Sequence, residues 1–294
     1  MKEKKKLSKA RRVFDLVLLI AIAVLWVKFS AVYPELRVPK WGDYTTSAPE
    51  EAPETGSKYK FYYDRLSNEE KYAYKFIMDE IYSFPVKIEV PTLESEGLSA
   101  VFEAILLDNP DMFFLSKKGE TSQKLGRLFF YPQYNITKEE YAQMKSEVDE
   151  KCREILLAIN LNGTAYSIEK GIHDYIVTHC EYTYTEGDYI SSSVYGCLIN
   201  GLASCEGYSK AMSYLLEKVN IENTMVNGFA KNNQGYEAAH MWNIVKTDGT
   251  YKYIDVTWDD PVSNTSGRIY YDYFNVGKDK ISKTHYGMTL DIVD

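Results

Sequence analysis

A two-residue turn between two apolar runs constrains the fold of this chain more than any other feature. Asp248-Gly249 separates residues 240–246 from residues 250–257, and both runs are rich in aliphatic and aromatic side chains. A D-G pair in a two-residue loop is among the strongest signals for a β-hairpin, and it fixes the register so that Thr247 faces Thr250. The sequence therefore predicts an antiparallel ribbon with a defined pairing.

This register brings a histidine and a carboxylate onto one face of the predicted ribbon. Counted from the turn, Trp242 faces Asp255 and His240 faces Thr257. His240 and Asp255 are then diagonal neighbours about 7–8 Å apart at the backbone, which a hydrogen bond between their side chains can span. A loop longer by one residue would place them on opposite faces, so the prediction depends on the turn. Because an unpaired buried carboxylate is costly, the pair favours a functional role.

Upstream of the hairpin, Cys205 falls in the first turn of a predicted helix whose N-cap is Ser204. Apolar side chains recur at helical spacing after it (Tyr208, Met212, Leu215, Leu216 and Val219). Backbone N–H groups and the helix dipole stabilise a thiolate at this position, and Gly207 lets another backbone or a substrate come close. A buried structural cysteine explains the position of Cys205 equally well when it is taken alone.

The order Cys205, His240, Asp255 is that of a nucleophile, a general base and an orienting acid. The blocks around these residues resemble the signatures of the transglutaminase-like superfamily, in particular of its bacterial cell-surface members. The blocks are Ser204-Cys205-Glu206-Gly207-Tyr208, His240-Met241-Trp242-Asn243 and the run from Tyr253 to Pro261. The likeness covers about residues 165–285. It departs at Met241, where a small residue is commoner, and at Asn220-Ile221, which lacks a frequent glycine.

The resemblance implies an α+β, papain-like core in which the helix bearing the cysteine packs on an antiparallel sheet. In such a core Cys205 is the nucleophile, His240 the general base and acid, and Asp255 the group that fixes the imidazole tautomer. The implied reaction is thiolate attack on an amide of a protein or peptide, followed by resolution of the thioester by water or an amine.

Other residues are candidates for contacts with the substrate. The Cys205 N–H is an expected oxyanion donor, and Tyr195 and Asn200 are candidates for the second. Trp242 and Trp258 are candidates for walls of the acyl site, although paired tryptophans in a hairpin more often serve packing. The alternative function, from a different class, is a cell-surface binding module that keeps the fold without turnover.

The amino terminus carries a membrane-targeting signal. Seven of the first twelve residues are basic, and residues 16–27 follow without a polar side chain. The wider span 13–33 is long enough for a membrane helix, whereas residues 16–27 alone suit a signal peptide. Because residues 29–31 make a poor cleavage site, we expect an uncleaved single-pass anchor. The positive-inside rule then predicts residues 34–294 outside the cytoplasm, or secretion if cleavage occurs.

Charge and composition narrow the partners. After residue 12 the chain holds 27 basic against 41 acidic side chains, so nucleic-acid binding is disfavoured. The expected partners are a protein or peptide substrate and, through the amino-terminal helix, a membrane. We expect a cytoplasmic segment, an anchor or signal peptide, a linker, a small α+β domain and a transglutaminase-like domain (1–12, 13–33, 34–57, 58–162 and 163–294).

The four cysteines are too few and too scattered for a disulfide scaffold, and no spacing typical of a metal site occurs. We therefore expect no metal and no cofactor. Outside the cytoplasm, Cys197 has two possible disulfide partners, Cys180 and Cys205, and the second pairing would silence the nucleophile.

Helix and strand signals are clearest at two capping boxes, which begin at Ser67 and at Thr137. They predict helices to about residue 83 and to about residue 159. Apolar spacing predicts another helix over 98–106, and residues 127–131 read as a strand. Further along, a helix over 168–180 and a strand over 224–229 are expected. The histidines of the helix over 168–180, His173 and His179, are expected to serve packing or to face solvent.

Overall fold

The computed structural model describes residues 56–90, 93, 95–124, 127–260 and 268–293. Within these ranges, no helix combines the length and the apolar character that a membrane crossing requires. The predicted cytoplasmic segment, the predicted anchor and nearly all of the predicted linker lie outside the described residues.

The first half of the described chain is a mixed helical and sheet unit. It contains α1 (Asn68–Ile81), β1 (Ile88–Val90), α2 (Ser95–Asp108), β2 (Leu115–Lys124), β3 (Arg127–Tyr134) and α3 (Lys138–Ala158). The strands form an antiparallel sheet in the order β1-β3-β2. Both predicted capping boxes are confirmed, because each cap hydroxyl and its glutamate exchange bonds with the other's backbone N–H. Strand β2 was not predicted, because it is polar and mostly exposed and its sequence shows no alternation of apolar and polar side chains.

The second half builds a helix against a larger sheet. Its elements are α4 (Ala165–His179), β4 (Glu181–Tyr182), a π-helix (Gly196–Asn200), β5 (Leu202–Ala203), α5 (Cys205–Lys218), β6 (Asn223–Lys231), β7 (Glu237–Thr247), β8 (Thr250–Ile254), α6 (Val256–Asp259), α7 (Lys278–Ile281) and β9 (His285–Tyr286). The antiparallel sheet has the order β8-β7-β6-β9, and α5 packs on β6 and β7. The α+β class with a cysteine-bearing helix on an antiparallel sheet is thus confirmed.

The predicted hairpin register is confirmed as far as the strand continues. Asp248 and Gly249 have φ of 52° and 81°, the left-handed pair that a two-residue turn of this type needs. Pairing runs from Thr247 opposite Thr250 to Asn243 opposite Ile254. The prediction is wrong beyond that point, because β8 ends and the next residue caps α6 instead of pairing in the sheet.

Two hydrophobic clusters hold these layers together. One joins α1 and α2 to the larger sheet, with Ile77 and Trp242 among its completely buried members. The other surrounds α5 and includes Cys152 and Leu215. Each cluster contains side chains from both sides of residue 162, so packing continues across the boundary that we predicted between the two domains.

The start of α5 lies unusually close to a preceding loop. A Cβ built on Gly207 would meet the Ser191 carbonyl oxygen at 2.3 Å and the Ser193 carbonyl oxygen at 3.1 Å. The N–H of Ser204 also donates to the Ser191 carbonyl at 2.9 Å. The close approach foreseen for Gly207 is therefore that of a backbone loop, which fixes the first turn of the helix.

We expect Gly207→Ala to lower the free energy of unfolding by about 1–3 kcal/mol, because the added methyl group forces the helix and the loop apart. Gly277→Ala is a steric control, since the Cβ there meets no atom within 4 Å and φ is −81°, so its only expected cost is the preference for Gly over Ala at an N-cap. Denaturant unfolding of both variants and of the parent checks this, and a Gly207→Ala midpoint equal to that of the parent would contradict it.

Candidate functional site

The His240 and Asp255 side chains meet at the edge of the larger sheet. His240 lies on β7, and Asp255 is the N-cap of the one-turn helix α6. The imidazole Nε2 is 2.7 Å from Asp255 Oδ2, and both side chains are nearly buried, with 8% and 1% exposed. Asp255 Oδ1 accepts the N–H of Trp258 at 3.2 Å. The predicted contact is present, although a helix cap rather than a strand pair produces it.

Cys205 lies near the same imidazole. It is the first residue of α5, it is half-buried, and it is close enough to His240 to raise the pKa of the ring. An ionised Asp255 can only accept hydrogen bonds, so the His240 Nε2 carries the proton that it receives. The other ring nitrogen, Nδ1, is then the one available to the sulfur. The structure thus brings together the three residues that the sequence singled out.

The electrostatics of this cluster favour charged partners. Burial opposes ionisation of His240, but the charge and hydrogen bond of Asp255, followed by the contact with Cys205, raise its pKa to about 10. Burial likewise opposes ionisation of Asp255, yet His240 and a second histidine, His285, hold its pKa well below its usual range. At neutral pH the site therefore contains an imidazolium and a carboxylate.

The two neighbours of Cys205 differ in their contacts. Ser204 has the extended backbone of an N-cap, as predicted, but its side chain makes no cap bond to the helix. Glu206, the neighbour of Cys205, pairs with Lys117 from β2 and with Lys210 at 2.9 Å. These two lysines offset a negative charge that would otherwise oppose a thiolate in the first turn.

The four substrate-site candidates differ in their surroundings. Trp258 keeps exposed surface and its ring lies 5.8 Å from that of His240, so it remains a candidate wall. Trp242 is completely buried, which assigns it to packing beneath the histidine. The hydroxyl of Tyr195 donates to Glu147 on α3 at 2.7 Å instead of pointing into the site. Asn200 is exposed at the end of the π-helix.

Sequence reasoning missed His285, whose Nε2 lies 2.9 Å from the same Asp255 oxygen that His240 contacts. It is completely buried on β9, a strand of two residues that is too short to show any alternation. His240, Asp255 and His285 have donor atoms within 4.8 Å of one another, the one metal-type grouping among the described residues. The short contacts among these three residues are hydrogen bonds from the imidazole N–H groups to the carboxylate. The atoms that could ligate a metal are therefore already engaged with one another.

A second buried histidine supports the helix that Asp255 begins. His173 Nδ1 is 3.0 Å from Asp174 Oδ1, and its Nε2 is 3.3 Å from Asp259 at the end of α6. Burial opposes its ionisation, but the two carboxylates raise its pKa. The packing role expected for His173 thus takes the form of a bridge between α4 and α6.

All four cysteines are free thiols in this structure, and Cys205 alone among them is not buried. Of the two disulfide partners considered for Cys197, Cys180 is the one that packs in the same buried cluster and adds to its raised pKa. Burial raises the pKa of Cys152 to about 11 and that of Cys197 above its ordinary value. Cys205 therefore differs from the other three thiols in its access to solvent.

Comparison with known proteins finds a family model that matches the segment around this site. Residues 157–257 match the family model of the transglutaminase-like superfamily. One similar solved structure is a TGase, with 15% identity and a TM-score of 0.36 over 53% of this chain and 48% of that one. Another is a proposed cysteine protease from Cytophaga hutchinsonii, with 11% identity and a TM-score of 0.31 over 48% of this chain and 61% of that one.

A proposed protease from Parabacteroides distasonis is also similar, with 10% identity and a TM-score of 0.27 over 46% of this chain and 35% of that one. Each match spans less than two thirds of the solved chain. The search of curated proteins gave no significant match. The family match covers residues 157–257, a transglutaminase-like segment that contains Cys205, His240 and Asp255.

Proposed function

We propose that the protein is a thiol acyltransferase or amidohydrolase that acts on protein or peptide amides through Cys205, His240 and Asp255. The observation that carries the proposal is the 2.7 Å contact between His240 Nε2 and Asp255 Oδ2, with Cys205 near enough to the same imidazole to raise its pKa. A nucleophile, a base and an orienting acid in this arrangement are the parts that covalent acyl transfer requires.

The proposed reaction begins with the thiolate of Cys205 and the imidazolium of His240. The sulfur attacks the amide carbonyl carbon, and the oxygen that becomes negative accepts the N–H of Cys205 at the helix N-terminus. As the C–N bond breaks, His240 Nδ1 gives its proton to the leaving ammonia or amine. Water or an acceptor amine then attacks the thioester while Nδ1 takes up a proton, and the sulfur leaves as a thiolate.

Asp255 is proposed to act by orientation. Its bond to Nε2 holds that proton in place, so Nδ1 is the nitrogen that exchanges protons with the sulfur and the leaving group. Its own proton affinity is too low for it to take the proton, because its pKa lies well below the usual range. The charge of Asp255 stabilises the imidazolium in the stages in which Nδ1 carries a proton.

We expect Cys205→Ala to lower turnover at least about 1,000-fold, because no other group can form the thioester. Glutamine deamidation, amine incorporation and peptide cleavage should be measured in parallel, since each detects one fate of the acyl group. Cys152→Ala is the control and should keep the activity of the parent. Parent-level turnover by Cys205→Ala would contradict the proposal, and a parent that lacks all three activities while its sulfur is unreactive would favour a binding module.

The pH dependence of alkylation tests the charged pair without a known substrate. The raised pKa of His240 means that its proton is present at pH 6 and is lost as the pH rises through about 10. Iodoacetamide should therefore alkylate Cys205 rapidly at pH 6, and the advantage over an ordinary thiol should disappear near pH 10. In His240→Gln the rate should instead rise with pH, as for a thiol with the ordinary pKa of about 8.5. Superimposable profiles for the parent and His240→Gln would contradict the ion pair.

We also propose that the site acts outside the cytoplasm, tethered by the segment 13–33. The support is the basic cluster in residues 1–12 followed by an apolar span. A membrane-impermeant maleimide should label Cys205 in intact cells, with the Cys205→Ala protein as the blank. Labelling that requires permeabilised cells would overturn this orientation.

A further inference from the structure

His285 forms a second imidazole contact with the carboxylate of the site. It lies 30 residues beyond Asp255, and its Nε2 is 2.9 Å from Asp255 Oδ2, the oxygen that also contacts His240. The other ring nitrogen, Nδ1, is 2.8 Å from the Thr284 hydroxyl. Both nitrogens of His285 are therefore engaged, and one of them ends on the orienting acid.

The ring of His285 is held rigidly by its surroundings. It is completely buried, and β9 fixes its backbone by pairing His285 with Ala230 on β6. Aromatic rings surround it, at centroid distances of 4.8 Å for Trp242, 4.8 Å for Trp258 and 5.4 Å for Tyr273. Such packing leaves the imidazole no other orientation, so its N–H direction is fixed in advance.

The hydrogen-bond pattern defines which nitrogen of His285 serves the carboxylate. Nε2 must donate, because an ionised carboxylate can only accept. Nδ1 contacts the Thr284 hydroxyl, which also donates to the Ile281 carbonyl oxygen at 3.4 Å. The His240 ring lies 5.5 Å from that of His285 between centroids, so the two imidazoles reach the same carboxylate oxygen from neighbouring positions.

We propose that His285 is a positioning residue, which fixes the Asp255 carboxylate toward His240 and so sets the reactivity of Cys205. This role rests on the proposed function, since it acts on the same site. Asp255 is thereby bound at both oxygens, by the Trp258 N–H at Oδ1 and by two imidazoles at Oδ2. Neither the carboxylate nor the His240 ring can then rotate without breaking a buried hydrogen bond.

The test compares His285→Phe, which fills the cavity but has no donor, with His285→Gln, whose amide nitrogen can replace Nε2. The rate of Cys205 alkylation by iodoacetamide is measured against pH in the chain with its other cysteines unchanged. We expect His285→Phe to react about 10- to 100-fold more slowly at pH 6, as for loss of a hydrogen bond to a charged group. His285→Gln should recover most of the parent rate.

The acidic limb of the profile separates positioning from a merely structural effect. The bond from His285 helps to lower the pKa of Asp255, so its loss should raise that pKa and move the acidic limb of the alkylation profile to higher pH. His285→Gln should return the limb toward that of the parent. A variant that is only less stable would unfold at a lower temperature, and it would leave the acidic limb of the alkylation profile at the pH of the parent.

The outcomes are distinguishable. A folded His285→Phe with the parent profile overturns this proposal alone, and a parent that matches His240→Gln overturns the proposed function and this proposal with it. If His285→Phe fails to fold, Thr284→Val is measured in its place. It removes the bond to Nδ1 of His285 and must still move the acidic limb of the alkylation profile to higher pH. If EDTA treatment of the parent reproduces the His285→Phe profile, the three residues hold a metal ion instead, and the positioning role is wrong.

Discussion

The burial of one negative charge organises this molecule. Asp255 is 1% exposed, and a carboxylate at such a depth is tolerated only when its oxygens are fully hydrogen-bonded and a positive partner is near. Three elements supply the donors: β7 through His240, β9 through His285 and the first turn of α6 through its own backbone. The sheet, the short helix and the final strand must therefore all be in place for the charge to be tolerated.

The helix α6 illustrates how much of this arrangement is tertiary. Four residues are too few for a helix to be stable alone. At its start Asp255 caps the first turn, and at its end Asp259 accepts the N–H of Tyr273 at 2.9 Å and lies beside His173. The position of the Asp255 carboxylate is thus set by buried polar contacts at both ends of the turn that follows it.

The sequence predicted what local signals control. The D-G turn defined five paired positions of the hairpin, and the two capping boxes located the starts of two helices. The contact between His240 and Asp255 was predicted by continuing strand β8 through Asp255, but β8 ends one residue before it. Asp255 is itself a strong N-cap residue, and that preference overrides continued pairing. The contact survives because the cap geometry turns the side chain back toward β7.

What the sequence could not provide comes from distant parts of the chain. His285 belongs to a two-residue strand, and nothing in its neighbours indicates that it packs between Trp242 and Trp258. Strand β2 and its lysine contact to Glu206 were missed because an exposed polar edge strand lacks alternation. The burial of Trp242, expected as a possible wall of the site, depends on α1 and α2 packing on the larger sheet.

The last strand joins completion of the larger sheet to completion of the polar cluster. The family match ends at Thr257, yet β9 supplies a donor to Asp255 and covers the edge of β6. A chain in which β9 has not docked still holds Cys205, His240 and Asp255, but its buried carboxylate lacks the second imidazole. Docking of the carboxy-terminal strand onto β6 is therefore the folding step that finishes the hydrogen bonding of Asp255.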